Sequence, residues 1–444
     1  MTVPVSTTSP VRDVSAEIVV IGSGLAGLAA AETAAENNLD VLLVESDEVL
    51  GGTTRFSDGV FNAVDPKRQV RIRVEDSPEK HLEHVLRRGR ARNHEPLARI
   101  FCYEAPSALA WLEHLGFTFR DEISQEPGAP YPRSHVPAEG RGEAYIRFFR
   151  ERFEKRGLRV LTRTKVLRLQ RGGRFSGRPS APADEAPVRG VIARSADGGL
   201  LRITASKGVV LAGGGYQKNA TLLRTYSPLL NDAASIGAPG CDGSLMLAAA
   251  DIGAEVIHTG YYDWTLRAAD GTPLTMPDLR NPAGFILLNE KGERFCREDL
   301  DVRSLAEVIL TQPHDTAWLV RSAQGESVQR LPFSEVTLRT ALRRYEQWTL
   351  LRVDQDFGKA PELLVPITGE IRIDPVEPVV LSTLGGVLID ENARVIGRDR
   401  RPIPGLTAAG DIAGGIFGAG AATGDNLSCA VVFGRLAVKS LSRN

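Results

Sequence analysis

The chain has 444 residues, 42% hydrophobic and 25% charged, with a formal net charge of −1 at pH 7. That length suits two domains, or one large domain carrying an insertion. A charge so near zero leaves no global field to draw the chain to nucleic acid or a membrane surface, and no apolar run reaches the roughly 18 residues that span a bilayer. The four cysteines, Cys102, Cys241, Cys296 and Cys429, are widely spaced and form no CxxC pair. Structural zinc, iron–sulfur and c-type haem are therefore not expected, no metal site is predicted, and reduced thiols are. The first fifteen residues are polar and lack the basic start and apolar stretch of a secretory leader. The expectation is a cytoplasmic protein.

In chain order, EIVVIG (17–22) is a short β-branched run that reads as a buried strand. It leads into GSGLAG, which sets Gly22, Gly24 and Gly27 in a GxGxxG pattern. A helix over LAGLAAAETAAENN and a strand over VLLVES (41–46) follow. In that setting Gly22 permits the tight turn, Gly24 lets a pyrophosphate approach the backbone, and Gly27 lets helix pack on strand. The helix N-terminus faces the phosphates, and Glu45 ends the second strand where a carboxylate grips ribose hydroxyls.

Six residues further on, GGTTRFSDGVFNA (51–63) is a second glycine-rich stretch. Next come two basic clusters, LRRGRAR (86–92) and RFFRERFEKRGLR (147–159), which read as solvated helix faces because acidic residues surround them. Between them lies the loop GAPYPRSHVP, carrying Tyr131, Arg133 and His135. Two strand-like runs, LRVLTRTKVLRL and VRGVIARSA, flank the Gly/Pro-rich piece 171–187 and read as a hairpin. GVVLAGGGY (208–216) and GLTAAGD (405–411) are further strands ending in glycines, and GGIFGAGAATGDNLS (414–428) opens a final apolar helix. NAD does not need a second glycine-rich stretch so soon after the acidic residue. Several glycine-rich strand ends, spread along the chain, point to one long cofactor threaded through one domain, and that cofactor is FAD. Its candidate contacts are Gly22, Gly24, Gly27, Glu45, Gly51, Gly52, Thr53, Thr54, Ser57, Gly59, Ala212, Gly213, Gly410, Asp411, Asn426 and Leu427.

These motifs, together with 74–117, APGCDGSLMLAAADIGAEV (238–256), LNEKGERF (288–295) and 383–411, resemble one flavoprotein family over nearly the whole chain. It is the family of soluble fumarate reductases, the succinate dehydrogenase flavoprotein subunit, tricarballylate dehydrogenase and the 3-ketosteroid dehydrogenases. The resemblance implies an α/β fold: a Rossmann-like FAD-binding domain of the glutathione-reductase type with an inserted α+β capping domain. The FAD domain would be discontinuous, residues 1–257 and 382–444, and the capping (substrate) domain would be 258–381. The histidine that binds flavin covalently in membrane-bound members has no counterpart in TTRFSDG, which implies non-covalent FAD.

In the fumarate-reducing members a capping-domain arginine exchanges the proton while flavin N5 exchanges the hydride. By resemblance Arg303 takes that place, with Asp278 and Arg280 as its relay. An arginine, with an ordinary pKa above ~12, can serve only if held at the substrate and reloaded through hydrogen bonds. The family's carboxylate ligands are replaced: Ala421 stands where an arginine is expected, Leu381 or Ser382 where a histidine precedes the glycine pair, and Asp263 near a second histidine. A buried dianion without paired donors costs several kcal/mol, so the substrate is not expected to be a C4 dicarboxylate. Tyr262, Asp263, Trp264, His135, Leu381 and Ala421 are the candidate substrate-binding residues. The expected activity is oxidation or reduction of a CH–CH bond α,β to a carbonyl or carboxyl group of a small molecule, with an electron donor or acceptor that no motif identifies. A flavin oxidase or hydroxylase, and a catalytically silent flavin-binding redox subunit, are the alternatives.

Overall fold

The computed structural model describes residues 12–126, 129–172, 186–227, 230, 234–268, 274, 284–298, 300–322, 333–351, 367 and 371–442. Its centre is an eight-stranded sheet. Across the main path the strands run Arg394–Ile396, Pro402–Ala408, Leu200–Leu211, Arg12–Ile21, Val41–Val44 and Arg159–Leu161. The inner four are mutually parallel, with Leu406 beside Val209, Val209 beside Val19, and Val19 beside Leu42. Ile18, Val19, Val20, Leu43, Val44, Val209, Val210 and Leu211 are fully buried, as continuous β-branched and leucine runs should be in a sheet covered on both faces. The expected hairpin forms from Lys165–Arg171 and Val188–Arg194, which pair antiparallel beside Leu200–Leu211; the loop residues 173–185 lie outside the described residues.

The helices Leu25–Glu36 and Asp425–Ser442 cover one face. Alanines dominate the first because the second comes very close: a Cβ on Gly434 would sit 2.4 Å from the Ala26 carbonyl oxygen. A second sheet, antiparallel and four-stranded, is ordered Tyr262–Ala268, Ile371–Thr383, Ala317–Ser322, Phe285–Leu288. In it Asp263 pairs with Ser382 but Trp264 pairs with Val380, so Leu381 is an extra residue in a bulge. Bulges re-aim side chains, and here Asp263, Trp264, Leu381 and Ser382 all line the same cleft.

Parallel pairing brings the carboxyl ends of four strands to one edge. Ile21, Val44, Leu211 and Ala408 are followed there by Gly22, Glu45, Ala212 and Ala409. Ligands of open α/β sheets bind at that edge.

Candidate active site

A cleft of about 430 Å³ runs along this edge and on beneath the second sheet. At its first end the walls are backbone. Gly22 leaves its strand at φ 99°, and a Cβ there would lie 2.3 Å from the Ala212 carbonyl oxygen. A Cβ on Gly27 would meet the Gly22 oxygen at 1.8 Å, so helix and strand touch only because both residues are glycine. Gly24 differs: the sole atom its Cβ would approach is Thr54 Oγ1, at 3.7 Å, and the residue faces the open cleft. Glu45, 5% exposed, accepts from the backbone N–H and the hydroxyl of Ser23 at 2.8 and 2.5 Å. Leu25 N–H donates to Thr54 Oγ1 at 3.0 Å, which ties the second glycine-rich stretch to the helix start. A helix N-terminus with open amides, a side-chain-free approach at Gly24 and a carboxylate at the next strand end fit an extended dinucleotide.

Of the candidate cofactor residues, Gly22, Gly24, Glu45, Gly52, Thr53, Thr54, Ser57, Gly59, Ala212, Gly213, Gly410, Asp411, Asn426 and Leu427 line this one cleft. Gly27 lies behind it as a packing position, and Gly51 N–H donates to Ser23 Oγ at 2.9 Å. Burial and then the Asp263 carboxylate raise Asp411 to about 6. The four cysteines are buried and none is in a disulfide with another described residue; Cys241 lies 3.2 Å from Thr53 Oγ1, and burial lifts its thiol to about 11, so it is inert at neutral pH.

The far end is walled by charged side chains. Arg303 stands in the first turn of helix Val302–Ile309, whose N-cap Asp301 accepts from Ser304 N–H at 3.1 Å. The Arg303 guanidinium donates to the Ala419 carbonyl, lies 3.5 Å from Asp263 Oδ1 and holds Glu307 Oε1 through Nε at 3.0 Å. Asp263 also accepts from Ala421 N–H at 3.3 Å. Burial raises Asp263 to about 6, against the opposing pull of Arg303 and Arg88. Trp264, Leu381 and Ala421 line the cleft with Asp263.

Several expectations need correction. The 86–92 cluster is not wholly a solvated face: Arg88 turns inward, donates to the Ala421 carbonyl at 3.1 Å and pairs with Asp301 at 2.7 Å. The stretch 414–428 has no positive side chain of its own, yet two arginines from elsewhere reach it. Its small residues make room for them, since a Cβ on Gly420 would lie 2.6 Å from Arg303 Nη1. His135 does not line the cleft; it is fully buried, 3.1 Å from the Phe61 carbonyl through Nδ1 and 3.4 Å from Asp65 through Nε2. Tyr262 is held against Trp264 and near Ser227 Oγ (3.2 Å), and is not part of the lining. Asp278 and Arg280 lie outside the described residues.

His84, Arg88, Glu126 and Asp301 line the site without having been expected. The first two carried a readable signal: His81, His84, Val85 and Arg88 recur at helical spacing, so polar residues occupy the buried stripe of helix Pro78–Arg88. Burial holds His84 down at about 4, so its imidazole is neutral. Asp301 had the N-cap pattern Asp-x-x-Ser. Glu126 sits in an irregular loop and had none.

A glycine-built cradle for a dinucleotide joined to an arginine–carboxylate site, on a chain similar to flavin-dependent reductases, is that of an FAD-dependent oxidoreductase. Residues 17–427 match the family model described as FAD binding domain, and the chain belongs to that family, within its fumarate reductase and succinate dehydrogenase flavoprotein-like members. It is 27% identical over 446 residues to a probable fumarate reductase of Shewanella frigidimarina, covering 95% of this chain and 74% of that protein. It is 27% identical over 461 residues to a urocanate reductase of Eggerthella lenta, covering 95% and 73%. Among solved structures, the open conformation of a flavocytochrome c3 fumarate reductase superimposes with a TM-score of 0.81 at 27% identity, covering 97% of this chain and 78% of that one. Among the described residues no helix is long and apolar enough to cross a membrane.

Proposed function

We propose that the protein oxidises or reduces a CH–CH bond activated by an adjacent carbonyl or carboxyl group, with Arg303 exchanging the proton. The observation that carries this reading is the Arg303 guanidinium, 14% exposed, in the same cleft as the glycine-rich strand ends. Bound FAD would supply the hydride exchange. It would be held by Gly22, Gly24 and the helix start at the phosphates, by Glu45 at the ribose and by Gly410, Asp411, Asn426 and Leu427 further along.

The chain's own residues account for the proton. Arg303 is fixed by three acceptors, Ala419 O, Asp263 and Glu307. Glu307 is 37% exposed and so connects the guanidinium to water, which is the reloading path an arginine acid needs. Asp278 and Arg280 remain proposed as further members of that path. The segment 258–381 acts as the substrate cap on a discontinuous FAD domain, 1–257 and 382–444. FAD is bound non-covalently, because the stretch 51–59 offers no histidine; acid precipitation should leave the flavin in the supernatant.

The substrate is not a C4 dicarboxylate. Arg88 and Arg303 are each matched by a carboxylate, Asp301 and Asp263, so the site carries no surplus positive charge for two substrate carboxylates. That members of the family include both a fumarate reductase and a urocanate reductase supports variation at this end. The test is anaerobic: FAD-loaded protein is titrated with saturated acids, ketones and steroids, and its reduced form with the unsaturated counterparts. Bleaching or recovery of the flavin band by one pair is expected. Inertness to all of them, with dithionite still reducing the flavin, would overturn the reading; submillimolar binding of fumarate or succinate would overturn the substrate claim.

A further inference from the structure

Glu126, at the far end of the cleft, is left without work by the reaction above. It lines the cleft, is 5% exposed, and its Oε1 is buried with no hydrogen-bond partner. The cation facing it, Arg88, is already engaged by Asp301 at 2.7 Å and by the Ala421 carbonyl. Two carboxylates also face it, Asp301 and Asp425, the latter bonded to His81 at 3.2 Å and Asn62 at 2.9 Å, and the backbone partner of the Glu126 carboxyl group is Thr423. An ionised Glu126 would therefore be a third carboxylate beside Asp301 and Asp425 with no cation of its own. Buried carboxyl groups in that position keep their proton. Burial first, then Asp425, push Glu126 well above the carboxylate range, with Arg88 opposing. A buried neutral acid with an empty bonding position is a hydrogen-bond donor lacking an acceptor.

Resting on the reading of this cleft as the site of an activated CH–CH bond, we propose that Glu126 is a substrate-recognition residue. Its carboxylic acid donates to a neutral oxygen of the substrate, the carbonyl of a ketone, ester or amide, and selects carbonyl-activated over carboxylate-activated molecules. A substrate carboxylate would have to displace charge balance already met by Asp301 and Asp263, whereas a neutral carbonyl completes the empty bond. His84, neutral and also on the lining, is a second uncharged polar group in the cleft.

The test uses FAD-loaded protein at pH 7 with a matched pair of probes, benzylideneacetone as ketone and cinnamate as carboxylate. Binding is read from the shift of the oxidised flavin band, which needs no turnover. The ketone is expected to bind at least about tenfold more tightly than cinnamate, the worth of one good hydrogen bond and an avoided charge. Glu126→Gln, an uncharged donor of the same shape, keeps that ratio; Glu126→Ala brings it to about one. In the infrared, the carbonyl stretch of a protonated carboxylic acid is present in the wild type, moves when the ketone is added and disappears in Glu126→Gln, a change that a purely structural role would not produce. Ketone binding weakens as pH rises through the titration of Glu126. Absence of the infrared band, equal binding of the two probes by the wild type, an unchanged ratio in Glu126→Ala, or no response to either probe would each overturn the proposal. Failure of the reaction reading is distinguishable: Glu126-dependent ketone binding without any electron transfer would sink that reading alone, and turnover indifferent to Glu126 would sink this one alone.

Discussion

The cleft is walled by backbone at its proposed nucleotide end and by charged side chains at its proposed substrate end. At the first, Gly22, Gly24 and Gly27 lie within six residues of one another, and each is there because an added Cβ would collide with the chain or fill the ligand's space. At the second, His84, Arg88, Glu126, Asp263, Asp301, Arg303 and Leu381 come from five separate segments. Local covalent constraints build the one end; the other exists only when distant elements pack. The nucleotide end should therefore fail by steric exclusion, and the substrate end by loss of charge balance.

The largest effect expected from breaking this contrast is at Gly24. Its backbone, at φ −61° and ψ 173°, suits any residue, and its Cβ would meet no backbone atom. Gly24→Val should fold with an unchanged circular dichroism spectrum and bind no FAD; a yellow protein would refute the assignment of the cradle. Next comes Arg303→Ala, expected to keep its full FAD content while turnover falls about a hundred- to ten-thousandfold. Loss of less than tenfold in stopped-flow reduction would remove Arg303 from the proton path.

A smaller effect concerns pH. Asp263 is raised by burial from 3.8 to about 6 in the folded protein. Between those values the folded state holds a proton that the unfolded chain has released, so the contribution is present at low pH and lost as pH rises to about 6. Urea titrations should show the wild type losing about 2–3 kcal/mol relative to Asp263→Asn across that window; a difference independent of pH would contradict the raised value. The smallest is Arg88→Ala, which strands Asp301 and should cost about 2 kcal/mol, less than a fully buried pair because both side chains are 18% exposed. Adding Asp301→Ala should recover part of that loss in a double-mutant cycle; strict additivity would mean the pair does not couple.

Much of the nucleotide end was legible from the order of residues alone. A β-branched run ending in glycines, a helix without a side-chain cap and an acidic residue after the next strand form a local pattern, and local sterics require those residue types in that order. The antiparallel hairpin at Lys165–Arg171 and Val188–Arg194 was readable for the same reason. Asp263, Trp264, Leu381 and Ala421 were reached only through family resemblance, and resemblance misplaced His135, which packs in the core against Phe61 and Asp65. Arg88 read as a surface charge because charge patterning cannot tell which turn of a helix will face inward. Glu126 carried no signal at all. Its meaning depends on Arg88 being occupied by Asp301 and on Asp425 lying beyond it, residues up to 299 positions away in the chain. Sequence sets which backbone can bend and which runs must be buried; which charges meet, and which one is left without a partner, is decided when the segments pack, because Coulomb energies and hydrogen bonds depend on distances that only the fold creates.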